Sequence, residues 1–143
     1  MRVIASLGVI SIYLIFLVSC NGKDATYQIA GKDPIILVHQ LEGAMEAHVE
    51  GELFYDSESK TLLLKNSVET GSEYSTPIWP KGTKPFVENG QHGVEIPDYG
   101  KIVEGELVLA SGGGIEKAEL SELDLPKNYL ESDDILVISK IIK

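Results

Sequence analysis

The sequence predicts an all-β domain: a small barrel of five to six short strands, with a small β-sandwich as the alternative. Three observations predict it. Apolar and polar residues alternate over short stretches, as where Val49, Gly51, Leu53 and Tyr55 interleave with Glu50, Glu52 and Phe54. Turn-forming groups such as Asp56-Ser57-Glu58-Ser59, Asn89-Gly90 and Asp98-Tyr99-Gly100 recur at intervals that suit short strands. Helical signal is sparse beyond residue 20: Leu120, Leu123 and Leu125 run into Pro126, which leaves room for one helical turn.

The chain opens with Met1-Arg2 and an apolar run from Val3 to Val18. That run falls short of the ~20 apolar residues a membrane-spanning helix needs, and no positive stop-transfer flank follows it. Leu17-Val18-Ser19-Cys20 closes the run and holds the chain's single cysteine. This stretch resembles the lipobox of bacterial lipoprotein signal peptides. The resemblance implies a signal-peptide helix over 1–19, cleavage before Cys20, and diacylglycerol on its sulfur with fatty acyl chains such as palmitate. Each buried methylene contributes about 0.8 kcal/mol, so two or three chains on one cysteine hold firmly where one does not. Asn21 follows the cysteine, which leans toward the outer membrane in a Gram-negative cell. Residues 20–33 show no periodic apolar pattern and read as the lipidated cysteine and a flexible tether; the β domain is then 34–143.

Within that domain, Pro34 to His39 reads as a short strand begun by proline. Residues 46–55 form a half-buried strand whose Gly51 suggests a bend or bulge. Strands over Thr61–Lys65 and Glu73–Ile78 follow. Phe86 to Gly93 reads as a loop around Asn89-Gly90, and Val94–Ile96 as a short strand ending at Pro97. Lys101–Val103 and Glu106–Ala110 are further strands, and Ser111-Gly112-Gly113-Gly114 reads as a sharp bend. The glycines are not a phosphate loop, because no Gly-Lys-Ser/Thr follows them. Ile135–Ile142 is the most β-branched segment and reads as a buried final strand; its pairing with the Val49 strand would close a barrel.

Pro77-Ile78-Trp79-Pro80-Lys81-Gly82 is the most distinctive local sequence, with two prolines fixing φ about Ile78 and Trp79. Two readings of Trp79 stand: a rigid aromatic platform for a ligand, or a plug at one end of the barrel. Tyr74, Trp79 and His92 are the candidate ligand surface. Val49-Glu50-Gly51-Glu52-Leu53, the Pro77–Gly82 turn, the strand running into Gly112–Gly114, and Pro126 followed by Ile135–Ile142 together resemble small secreted or lipid-anchored bacterial domains. That resemblance implies an OB-like barrel, and it carries over no functional residue.

The charge narrows the partners. The whole chain has a formal charge of −10, and Arg2 is its only arginine. Beyond residue 19, eleven lysines face 22 carboxylates, or −11. Such a surface repels nucleic acid and anionic headgroups, so membrane attachment must come through lipid on Cys20. One cysteine excludes an internal disulfide. His39, His48 and His92 lack metal-ligand spacing, the acids match no calcium loop, and no nucleophile motif is present. The sequence therefore assigns no catalytic residue, no metal and no cofactor. It points to an extracytoplasmic, lipid-anchored protein of the cell envelope. Its expected role is a non-enzymatic binding or envelope-assembly module with an envelope protein or glycan as partner. The alternative is a small hydrolase or metal-dependent enzyme acting on envelope polymers. A deep pocket lined by inward carboxylates or histidines would favour that alternative.

Overall fold

The structure is a computed structural model and describes residues 26–67, 71–126, 129–130 and 134–142. The expected signal peptide over 1–19 and the expected lipidation site Cys20 lie outside the described residues. The described strands are β1 (Tyr27–Ala30), β2 (Ile36–His39), β3 (Ala47–Asp56), β4 (Thr61–Asn66), β5 (Tyr74–Trp79), β6 (Lys84–Glu88), β7 (Gln91–Ile96), β8 (Gly100–Val103), β9 (Leu107–Ile115) and β10 (Ile135–Ile141). Among the described residues one 3-10 turn spans Lys117–Leu120, so it overlaps the expected helical turn over Leu120, Leu123 and Leu125 only at Leu120.

Five strands close into a barrel in the order β3-β4-β5-β10-β9 and back to β3. All neighbours are antiparallel except β5 and β10, which run parallel. Counted along the barrel, the first strand pairs with the second and fourth, and the third with the fifth. This is the Greek-key connectivity of an OB-type barrel.

Closure differs from the expected pairing of the Val49 strand with the last strand. Val49 of β3 faces Ala110 of β9, and β10 sits between β9 and β5. The closing contact is instead β4 to β5, through Leu64↔Ser75 and Lys65↔Tyr74. Beyond those pairs β4 and β5 part, and β2 enters the gap. It pairs with β5 in parallel at Leu37↔Ile78 and Val38↔Trp79, and Ile35 bridges to Thr61 of β4. His39 pins the end of β2: Leu41 N–H donates to its Nδ1 at 3.2 Å, so its Nε2–H donates to the Ile138 carbonyl at 2.7 Å. β1 lies outside β2, in register Tyr27↔His39 to Ala30↔Ile36. Residues 27–30, expected within the tether, are therefore a strand. Four residues, of which only the ends are half-buried, carry too little apolar pattern to announce it.

The segment between β5 and β9 forms a separate antiparallel sheet, β6-β7-β8. Its first hairpin turns on Asn89 and Gly90 at φ 52° and 77°, the left-handed pair that a type I′ turn requires. The expected loop over 86–93 is thus two strands around the expected turn. β6 lies at the sheet's edge without a buried residue, so it leaves no alternating pattern to read.

Two apolar clusters hold these layers together. Inside the barrel, Val49 and Leu53 of β3, Leu62 and Leu64 of β4, Trp79, Val108 and Ile138 pack with Ile36 and Val38 of β2. Val94, Ile96 and Ile102 of the small sheet join the same cluster, so that sheet caps the barrel. Outside it, Leu37, Ile78, Ile135 and Val137 are covered by Leu120 and Tyr129 of the β9–β10 connection.

Gly112–Gly114 do not bend between strands; they lie within β9, paired to Ile138, Val137 and Leu136 of β10 in that order. Glycine is needed there because a Cβ on Gly112 would run into the Val137 carbonyl, and one on Gly113 would meet Met45 Sδ at 2.6 Å. Gly51 likewise marks close approach: its Cβ would sit 3.0 Å from Leu64 Cβ and from the Lys65 carbonyl. The irregularity recorded in the barrel's pairing falls between Ile138 and Lys140 of β10.

Candidate functional site

The barrel's pleat separates the three sequence candidates. Along β3 the buried Val49, Gly51 and Leu53 alternate with the exposed His48, Glu50, Glu52 and Phe54. Trp79 falls on the interior side, at 0% exposure within the barrel cluster. Its indole ring presents no face to solvent, and its Nε1 is buried with no hydrogen-bond partner among the described residues. Trp79 is therefore core, and the interior that a ligand would need is filled by side chains.

Tyr74 falls on the outer side. Residues directly opposite one another on neighbouring strands share a face. Leu107 of β9 pairs with Glu52 of β3, Glu52 with Lys65 of β4, and Lys65 with Tyr74 of β5. One row therefore crosses four strands, three gaps of ~4.8 Å, or about 14 Å. Phe54 and Leu63 form a second row beside it, and the Phe54 and Tyr74 rings reach over β4 to meet at 5.0 Å with a 39° tilt. Phe54 is 38% exposed and Leu107 55%. The face is thus aromatic and aliphatic, with one carboxylate and one ammonium between. Such a surface can stack on apolar or planar groups and still orient a polar ligand. The outward phase of Phe54 was visible in the alternation; its meeting with Tyr74 needed the β3-β4-β5 register.

His92 belongs to a different cluster, at the junction of cap and barrel. Its ring stacks on Tyr55, centroids 3.5 Å apart and planes 3° apart. Glu104 accepts the His92 backbone N–H at 3.0 Å and approaches its Nδ1 at 2.9 Å. His92 Nε2 faces Asp33 Oδ1 at 4.0 Å, and that same oxygen accepts the Tyr55 hydroxyl at 2.5 Å. The backbone N–H of His92 is the main cause holding the Glu104 carboxyl below its usual range. The Asp33 bond is the main cause pushing the Tyr55 phenol up to about 12. The quartet's polar groups engage one another, so it acts as a latch between β7, the β1–β2 loop, β3 and the β8–β9 turn. Asp33, Tyr55 and Glu104 were not legible as partners of His92, because pairing across folded strands leaves no mark on local sequence.

The remaining histidines stand apart. His39 is buried and committed to Ile138 and Leu41, while exposed His48 contacts Glu50 at 3.1 Å. Among the described residues no three His, Cys, Asp or Glu side chains are gathered to hold a metal ion. The chain matches no protein-family model, no curated protein and no solved structure. Its architecture therefore rests on the barrel itself.

Proposed function

We propose that this protein is a non-enzymatic binding module, held at the cell envelope by lipid on Cys20 and facing the periplasm or exterior. The observation that carries the binding role is the Phe54–Tyr74 pair on the outer face of β3-β4-β5, beside Leu63 and Lys65. Two rings held partly in solvent on a rigid sheet are a preorganised contact surface, of the kind that anchors partners. The filled barrel directs a ligand to that outer face. An envelope glycan or an envelope protein segment fits its mixture of rings, aliphatic groups and opposite charges. The anchor reading is supported by Leu17-Val18-Ser19-Cys20 and by a surface charge that gives anionic lipid no other hold.

Two measurements test the two halves. Cys20→Ala should leave an unprocessed, unlipidated precursor; normal processing and membrane recovery of that variant would remove the anchor. Envelope extract passed over the immobilised mature chain should yield a partner that a Phe54→Ala/Tyr74→Ala double variant does not retain. Equal retention by both would place the binding elsewhere.

A further inference from the structure

We infer that the outer edge of β1 is a strand-addition site for an extended peptide carrying a basic side chain. The inference is independent of the Phe54–Tyr74 face. β1 ends the seven-stranded sheet, with β2 on one side. Gln40 N–H bonds the Thr26 carbonyl, which fixes the alternation of the β1–β2 ladder. Pairs two residues apart repeat that bonded state, so Gln28 and Ala30 bond toward β2 while Tyr27 and Ile29 turn their N–H and C=O groups outward. Among the described residues no backbone partner meets those four groups.

Exposed strand edges are normally protected by charge, proline or a bulge. Tyr27-Gln28-Ile29-Ala30 carries no charge and no proline and pairs with β2 without a bulge, so only its four-residue length protects it, and Ile29 is 38% exposed. Beside the edge lies a groove of about 550 Å³ between Thr26-Tyr27 and the 3-10 segment. Tyr27, Ala118 and Leu123 give it apolar walls; Glu119 and Glu122 rim it, and among the described residues no lysine or arginine lines it. An added strand would place alternate side chains over this groove, where a lysine or arginine stem packs on Tyr27 and Leu123 and its charge meets the two carboxylates. The same charges select against a second copy of this chain, whose formal charge is −10.

The test uses the full mature chain and a fluorescein-labelled eight-residue peptide of alternating valine and lysine. Fluorescence anisotropy should show saturable binding, weakened at least tenfold by N-methylation of the peptide amides that face β1. Glu119→Lys/Glu122→Lys should weaken binding by at least tenfold at low salt, while Phe54→Ala/Tyr74→Ala leaves it unchanged. Amide NMR shifts on addition of peptide should centre on Tyr27 and Ile29 in the unmutated protein, which reads the edge without relying on a variant's folding. Equal binding of the N-methylated peptide, shifts centred elsewhere, no binding, or self-association through β1 would each overturn the proposal. Loss of peptide binding in the Phe54/Tyr74 variant would also overturn it, by merging the two surfaces.

Discussion

Replacing Trp79 distinguishes a core plug from a ligand platform by magnitude alone. The side chain is fully buried in the cluster that joins the barrel to its cap, with Val94, Ile96 and Ile102 in the same cluster. Truncating a buried tryptophan to alanine costs about 3–5 kcal/mol through lost transfer energy and the cavity left behind. A domain's whole stability is about 5–15 kcal/mol, so Trp79→Ala should remove about a fifth of it or more. Trp79→Phe behaves differently, because it also removes an indole N–H buried without a partner among the described residues. That orphaned donor costs about 1–3 kcal/mol. The two or three apolar groups lost with the ring are worth a similar amount, at about 0.8 kcal/mol each. Trp79→Phe should therefore stay within ~1.5 kcal/mol of the parent. Urea unfolding followed by far-ultraviolet circular dichroism is the assay, since Trp79 is the only tryptophan and its fluorescence leaves with it. A cost below ~1 kcal/mol for Trp79→Ala would refute the plug. Equal damage from Phe and Ala would show that the indole N–H has a partner.

Three further outcomes follow from particular contacts. Gly112→Ala should destabilise by ~1–3 kcal/mol or more, because its Cβ meets the Val137 backbone; Gly113→Ala should cost less, because flexible Met45 can move, and thermal unfolding of the pair orders them. Asp33→Asn should lower the Tyr55 pKa from about 12, read by carbon NMR of labelled tyrosine. A raised phenol pKa stabilises the fold fully below pH 10 and is lost as pH rises toward 12, so the variant should flatten stability over that alkaline window. Glu104 has the opposite sign: its depressed carboxyl stabilises above pH 4.5 and loses that contribution as pH falls below it. Glu104→Gln should make the acid side of the stability profile less steep, measured by urea unfolding from pH 6 downward.

Sequence legibility follows local pattern. β3 and β10 could be read because alternation and β-branching are local signals, and Asn89-Gly90 because a type I′ turn demands its residues. β1 and β6 could not, since edge strands bury little and so lack a period. The glycines of β9 misled because close backbone approach and a turn both select glycine; only the register with β10 separates them. Tyr74 was legible as a strand aromatic, but its partner Phe54 lies on β3, two strands away through β4. His92 stood out as one of three histidines, whereas Asp33, Tyr55 and Glu104 are brought to it by the cap.

The central claim is that the outer β3-β4-β5 face binds an envelope partner. Its most direct test is the dissociation constant of the partner recovered from envelope extract, measured for the parent, Tyr74→Ala and Phe54→Ala. Aromatic anchors at interfaces commonly contribute about 2 kcal/mol or more, so each variant should bind roughly 30-fold more weakly. Their unfolding midpoints should stay near the parent's, because Phe54 is 38% exposed and the ring pair adds only about 0.5–1.5 kcal/mol. Unchanged affinity in both variants, with folding intact, would contradict the account.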